Sequence, residues 1–181
     1  MSEAARLVTA EELARLPDDD RRYELVDGRV VCMSPVGFQH GRIVMQFGSL
    51  LHQHVQSRKL GVVMTEVGFK LASNPDTVRA PDIAFIRQDR IPLSEPRGFW
   101  NGPADLAVEV LSPDDRQSDV RTKVEQYLTG GFALVVVIDP AAETAATFRR
   151  SAPSAILHGV EILDLDDVVP GFSCRVEEIF L

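Results

Sequence analysis

Two stretches of this chain each set a single carboxylate among apolar residues. In DLAVEVLSP, Asp105 to Pro113, that acid is Glu109. On a strand, Leu106, Val108 and Val110 would face one way and Ala107, Glu109 and Leu111 the other. Such a strand is buried on both faces, and a buried carboxylate is costly without a partner. In VRAPDIAFIR, Asp82 opens the apolar run Ile83 to Ile86. Pro81 before it fits a strand start, where a missing backbone donor is tolerated. Two acids so placed admit two readings. Either each is satisfied separately, by an arginine or a backbone amide, or both hold one metal ion.

Those acids need elements to carry them. TAEELARL predicts a short helix with Thr9 as N-cap and Glu12 closing a capping box. RYELVDGRVVCMSP predicts a hairpin turning at Asp27-Gly28. FQHGRIVMQFGSLLHQHVQ has helical spacing at Ile43, Phe47, Leu50, Leu51 and Val55. GVVMTEVGFKLA reads as one strand bent at Gly68. Asp82 and Glu109 then belong to the next two strands, with the proline- and glycine-rich loop RIPLSEPRGFWNGP between them. After Glu109, Val120, Val124, Tyr127 and Leu128 form a helical stripe that Gly130 or Gly131 stops. FALVVVIDP is a core strand, TAATFRR and the segment to Leu165 are further short strands, and the last residues form an edge or cap. The expectation is an α/β domain: one mixed sheet flanked by helices.

Composition bounds the rest. The chain has 181 residues, which fits one domain, and 45% are hydrophobic, enough for a core. No run reaches the length of a membrane span. MSEAARLVTAEELARL lacks a charged-then-apolar signal pattern. Cys32 and Cys174 stand far apart without clustered histidines, so neither a zinc motif nor a disulfide framework is indicated. The expected location is cytoplasmic. The net charge of −8 argues against a general nucleic-acid binder. From Ala141 to Leu181 three basic residues face seven acidic ones, which accounts for half of that excess.

The order Pro-Asp then Glu resembles the PD-(D/E)xK nuclease superfamily. More narrowly, YELVDGRVV, the His40-containing helix start, RAPDIAFI, DLAVEVLSP, and DVRTKVEQYLTGG followed by VVVIDP resemble the Uma-two family of restriction-endonuclease-like proteins. The resemblance runs from about Tyr23 to Pro140. It implies a restriction-endonuclease-like fold and a Mg²⁺- or Mn²⁺-dependent endonuclease acting on DNA. It implies that Asp82, Glu109 and the backbone carbonyl of Val110 hold the metal. Lys123 would assist the water, and Glu24 would support the site. Nucleases of this fold often act as homodimers, because cutting two strands needs two sites.

The chain departs from the superfamily pattern in one place. The usual lysine lies two residues past the Glu, and here that residue is Leu111. Lys123 is the substitute, and the Uma-like pattern has a lysine in this helix. At ~100° per residue it lies on the flank of the apolar stripe, within reach of Glu109. The competing reading is an exposed i,i+4 pair with Asp119. Glu24 competes with an ordinary solvent-facing strand glutamate. His40, a candidate for phosphate contact or proton transfer, competes with a histidine that merely begins a helix. Tyr127 could orient Lys123, though core packing suits it better. His52 and His54, two apart, do not share a helix face. A further departure is FALVVVIDP where Uma-like chains carry Glu-Tyr-Trp. Two rival functions remain: a non-catalytic nucleic-acid- or protein-binding module on the same fold, and a metal-dependent hydrolase of another substrate.

Overall fold

The computed structural model describes residues 6–17, 19, 21–94 and 96–181. Residues 1–5 of the N-terminal stretch and Glu95 of the proline-rich loop lie outside them. In chain order the elements are α1 (Ala10–Leu13), β1 (Arg22–Val26), β2 (Arg29–Met33), α2 (Phe38–Arg58), β3 (Gly61–Met64), β4 (Phe69–Ala72), β5 (Thr77–Arg79) and β6 (Ile83–Arg87). There follow β7 (Trp100–Asn101), β8 (Leu106–Val110), α3 (Gln117–Gly130), β9 (Leu134–Asp139), β10 (Thr144–Arg149), β11 (Ala152–His158), β12 (Ile162–Asp164) and β13 (Ser173–Arg175).

A six-stranded sheet runs β11-β10-β9-β8-β6-β3. Its one parallel pair is β8–β9, joined by α3, because parallel neighbours need a crossover of helix length. Both faces of that pair are covered. Ile43, Phe47, Leu51 and Val55 of α2 pack with Leu106, Val108 and Val110 on one face. Val124 and Tyr127 of α3 pack with Ala107, Val135 and Val137 on the other. The alternation read from DLAVEVLSP is therefore the alternation between two cores.

The expected single sheet is in fact two sheets and a ribbon. A five-stranded sheet runs β2-β1-β5-β4-β7, and β12 pairs with β13 alone. The stretch GVVMTEVGFKLA is not one bent strand. It crosses between sheets, with β3 on the edge of one and β4 inside the other. Glu66, at φ 59°, turns the chain at the crossing. Gly68 is required there, since a Cβ would meet the Phe99 ring at 2.5 Å. The C-terminal residues are more than a cap: Phe172, Val176 and Ile179 are buried in the core against α2.

Local signals elsewhere hold. The Thr9–Glu12 capping box forms, although α1 is only four residues long. Asp27 and Gly28 both take positive φ, 48° and 75°, as a two-residue hairpin turn demands. Gly131 ends α3 in the left-handed conformation. Among the described residues no helix is long and apolar enough to cross a membrane.

Candidate active site

The acids meet where β6 begins and β8 ends. The antiparallel register pairs Ile83 with Val108. One step further places Asp82 opposite Glu109, so two apolar strands bring their single acids to one end of the sheet. Asp82 accepts from the Val110 backbone N–H at 2.7 Å. Its other oxygen lies 3.2 Å from His40 Nε2. Glu109 accepts from Lys123 Nζ at 2.8 Å and from the Tyr127 hydroxyl at 2.6 Å.

The supporting residues come from four further elements, β1, β5, α2 and α3. Glu24 on β1 is only 2% exposed. It accepts from Arg79 at 2.6 Å and from the Ala80 backbone N–H at 3.0 Å, and Lys123 Nζ stands 3.8 Å away. The solvent-facing reading of Glu24 is thereby overturned: the side chain turns inward because β5, beside β1, delivers Arg79 to it. Arg79 in turn donates to Gln126 of α3 at 2.7 Å. His40, buried in the first turn of α2, has Ser112 Oγ 3.4 Å from its Nδ1.

Lys123 turns to Glu109 and Glu24 rather than to Asp119. Its place on the flank of the α3 stripe lets the chain of methylenes run along the helix toward the sheet end. Tyr127, one turn on, takes the core-packing role, and its hydroxyl goes to Glu109 rather than to Lys123. Its ring packs edge-on to Phe132 at 5.0 Å. The sequence reading missed Arg79, Gln126 and Ser112. Their contacts depend on strand and helix neighbours far apart in the chain, and only the i,i+3 spacing of Lys123 and Gln126 was visible locally.

The electrostatics follow from this burial. Burial pushes the Glu109 carboxyl up, Lys123 pulls it back and the charge of Asp82 raises it again, leaving it at about 7. Burial opposes the Lys123 charge, but the Glu109 and Glu24 carboxylates outweigh it and hold its pKa above the ordinary lysine value. Burial opposes protonation of His40 too, yet the hydrogen bond and charge of Asp82 raise its pKa. Burial and the neighbouring carboxylates lift the Tyr127 phenol well above its usual range, so it stays a donor.

Glu24, Arg79, Glu109 and Lys123 line a cleft of about 770 Å³ between the β1–β2 hairpin and α3, and Asp82, His40 and Tyr127 lie outside its lining. Does this donor set fit a metal? Among the described residues no buried side-chain polar atom lacks a partner, and no three Asp, Glu, His or Cys side chains gather into a self-sufficient cage. Two carboxylates on neighbouring strand ends, near enough that the charge of Asp82 raises the Glu109 pKa, nevertheless suit Mg²⁺, which binds through one or two carboxylates and keeps several waters. Each engaged oxygen retains a further lone pair. The raised pKa of Glu109 also marks a place where added positive charge is favourable. The residues fit a hard divalent ion that is only partly held by protein.

A mixed α/β sheet domain of this topology, with an Asp–Glu–Lys cluster at the sheet end, has the restriction-endonuclease-like fold. The model of the Uma2 family, described as "Putative restriction endonuclease", matches residues 10–177, and the chain belongs to that family. A crystal structure titled as that of "a putative nuclease belonging to DUF820" from Anabaena variabilis superposes with a TM-score of 0.85 at 20% identity. The match covers 96% of this chain and 97% of that one, and it establishes the shared fold. Comparison with curated proteins gave no match.

Proposed function

We propose that this chain is a Mg²⁺- or Mn²⁺-dependent endonuclease that hydrolyses DNA phosphodiester bonds. The observation that carries the reading is Lys123 Nζ at 2.8 Å from Glu109, which stands opposite Asp82 in the β6–β8 register. Family membership supports nuclease chemistry in general. Asp82, Glu109 and the Val110 carbonyl would hold the ion. When bound, it supplies positive charge for a phosphate oxygen and makes water a better nucleophile.

The chain's own groups do the remainder. Tyr127 fixes one oxygen of Glu109, and the Val110 N–H fixes one oxygen of Asp82, so both acids are oriented before substrate arrives. Lys123 keeps its charge and can turn a remaining N–H toward water or phosphate as negative charge develops there. Glu24, locked by Arg79, keeps the lysine at the sheet end. His40 sits against Asp82 and Ser112, where it can take up or release a proton. Purified protein, offered single-stranded, gapped and plasmid DNA, should cleave at least one of them with Mg²⁺ or Mn²⁺, stop on chelation, and lose this activity in Asp82→Ala.

A second reading has one observation in its favour. All four oxygens of Asp82 and Glu109 are already engaged by protein groups. That is what a binding module with a fossil site would show. Absence of both cleavage and any divalent-ion effect on melting would select it.

A further inference from the structure

We infer that the cleft admits an unpaired DNA strand and excludes an intact duplex, an assignment of substrate class that rests on the nuclease reading above. The first observation is size and depth. The 770 Å³ cleft has room for a short length of one strand and not for a segment of duplex. Glu109 is 8% exposed and Glu24 less, so the acids do not stand on an open surface. A phosphate that reaches Glu109 through the cleft passes Val31 and Met33 of the hairpin and Val120 of α3, which line it. A single strand can do this alone; a paired one would carry its partner into those walls.

The second observation is charge. Three basic side chains line the cleft, but Arg79 is held by Glu24, and Lys123 by Glu109. Arg29 shares the remaining wall with Asp27, Asp115 and Asp119. A duplex binder gains its affinity by neutralising many phosphates, and this lining would repel a second phosphate row. The third is the wall itself: Val26, Val31, Met33, Leu111 and Val120 present apolar surface. Unpaired bases expose faces that such a surface can cover, whereas a duplex keeps them stacked inside.

The test uses the full chain and end-labelled oligonucleotides of one sequence: single strand, perfect duplex, and duplex with a short unpaired gap. Anisotropy titrations in Ca²⁺ should show single-strand and gapped DNA binding about tenfold more tightly than duplex, a difference worth ~1.4 kcal/mol. The salt dependence should be shallow, matching one or two phosphate contacts. Val31→Ser, at an exposed edge-strand position opposite Glu24, should weaken the preference while changing the melting temperature little. With Mn²⁺, cuts should fall within the gap. Equal binding or equal cutting of perfect duplex overturns the inference, as does binding to none of the three. A retained binding preference with no cleavage of any substrate upholds it and overturns the nuclease reading instead.

Discussion

Glu109 is the residue on which the site's chemistry turns. With a pKa of about 7 it is partly protonated near neutrality, and a divalent ion requires it as the carboxylate. The melting shift produced by Mg²⁺ or Mn²⁺ should therefore grow from pH 6 to pH 8, and Glu109→Gln should abolish it. Lys123 lowers the Glu109 pKa, so in Lys123→Ala the pH dependence of the ion's effect should move upward. The same variant should lose most cleavage while retaining the ion at high pH. Asp119→Ala, which touches neither acid, should change both little. Without metal, the sign for stability is the reverse. A carboxyl with a raised folded pKa stabilises most below its unfolded value near 4.3, and that contribution is lost as pH rises through about 7. At this scale the sequence was informative where a residue contradicted its surroundings. Asp82 and Glu109 stood out because each is an acid in an apolar run. Arg79 did not, since an arginine beside Ala80-Pro81 contradicts nothing. Its meaning comes from β5 lying next to β1, a pairing no local pattern encodes.

At the scale of elements, α1 shows how a four-residue helix survives. Helices this short are unstable alone. Here Asp76 accepts from the Ala10 backbone N–H at 2.8 Å and is paired with Lys70 at 2.9 Å, which ties the helix to the five-stranded sheet. The hydrogen bond from Ala10, with Lys70 beside it, outweighs burial and lowers the Asp76 pKa. The contribution is thus present above the unfolded value near 3.9 and is lost as pH falls through the lower folded value. Asp76→Ala should destabilise the protein by about 1 kcal/mol at pH 7. Urea unfolding should show that difference from the parent narrowing below pH 4. Hairpin, capping box and helix stop were legible because each is written in two to four adjacent residues. The crossing at Thr65–Gly68 was not. Its residues suit a strand, and the reason to leave one sheet for another is the position of Phe99, thirty-one residues further on.

The whole molecule is held shut from its C-terminal end. Phe172 meets Phe47 and His54 of α2 edge-on, at 6.0 and 5.3 Å. Arg42 of α2 donates to the carbonyls of Phe180 and Leu181. Phe172→Ala should cost about 3 kcal/mol, a large share of a domain's usual ~5–15 kcal/mol. Thermal melting should register it as a clear fall in midpoint, with cleavage unaffected at temperatures where the variant remains folded. These terminal residues carry no strict period, which is why they read as a cap. They become core because α2 presents a long apolar face that the six-stranded sheet alone does not cover.

The two groups that grip Glu109, Lys123 and Tyr127, ride on successive turns of one helix. Mechanically the carboxylate therefore has a single mount. A slide of α3 by one residue's rise, about 1.5 Å, would strain both contacts together, whereas a lysine projecting from β8 itself would stay in register with the acid. Placing the cation on the crossover trades that stiffness for leverage: whatever pushes on the outer face of α3 also acts on the reacting end of the sheet.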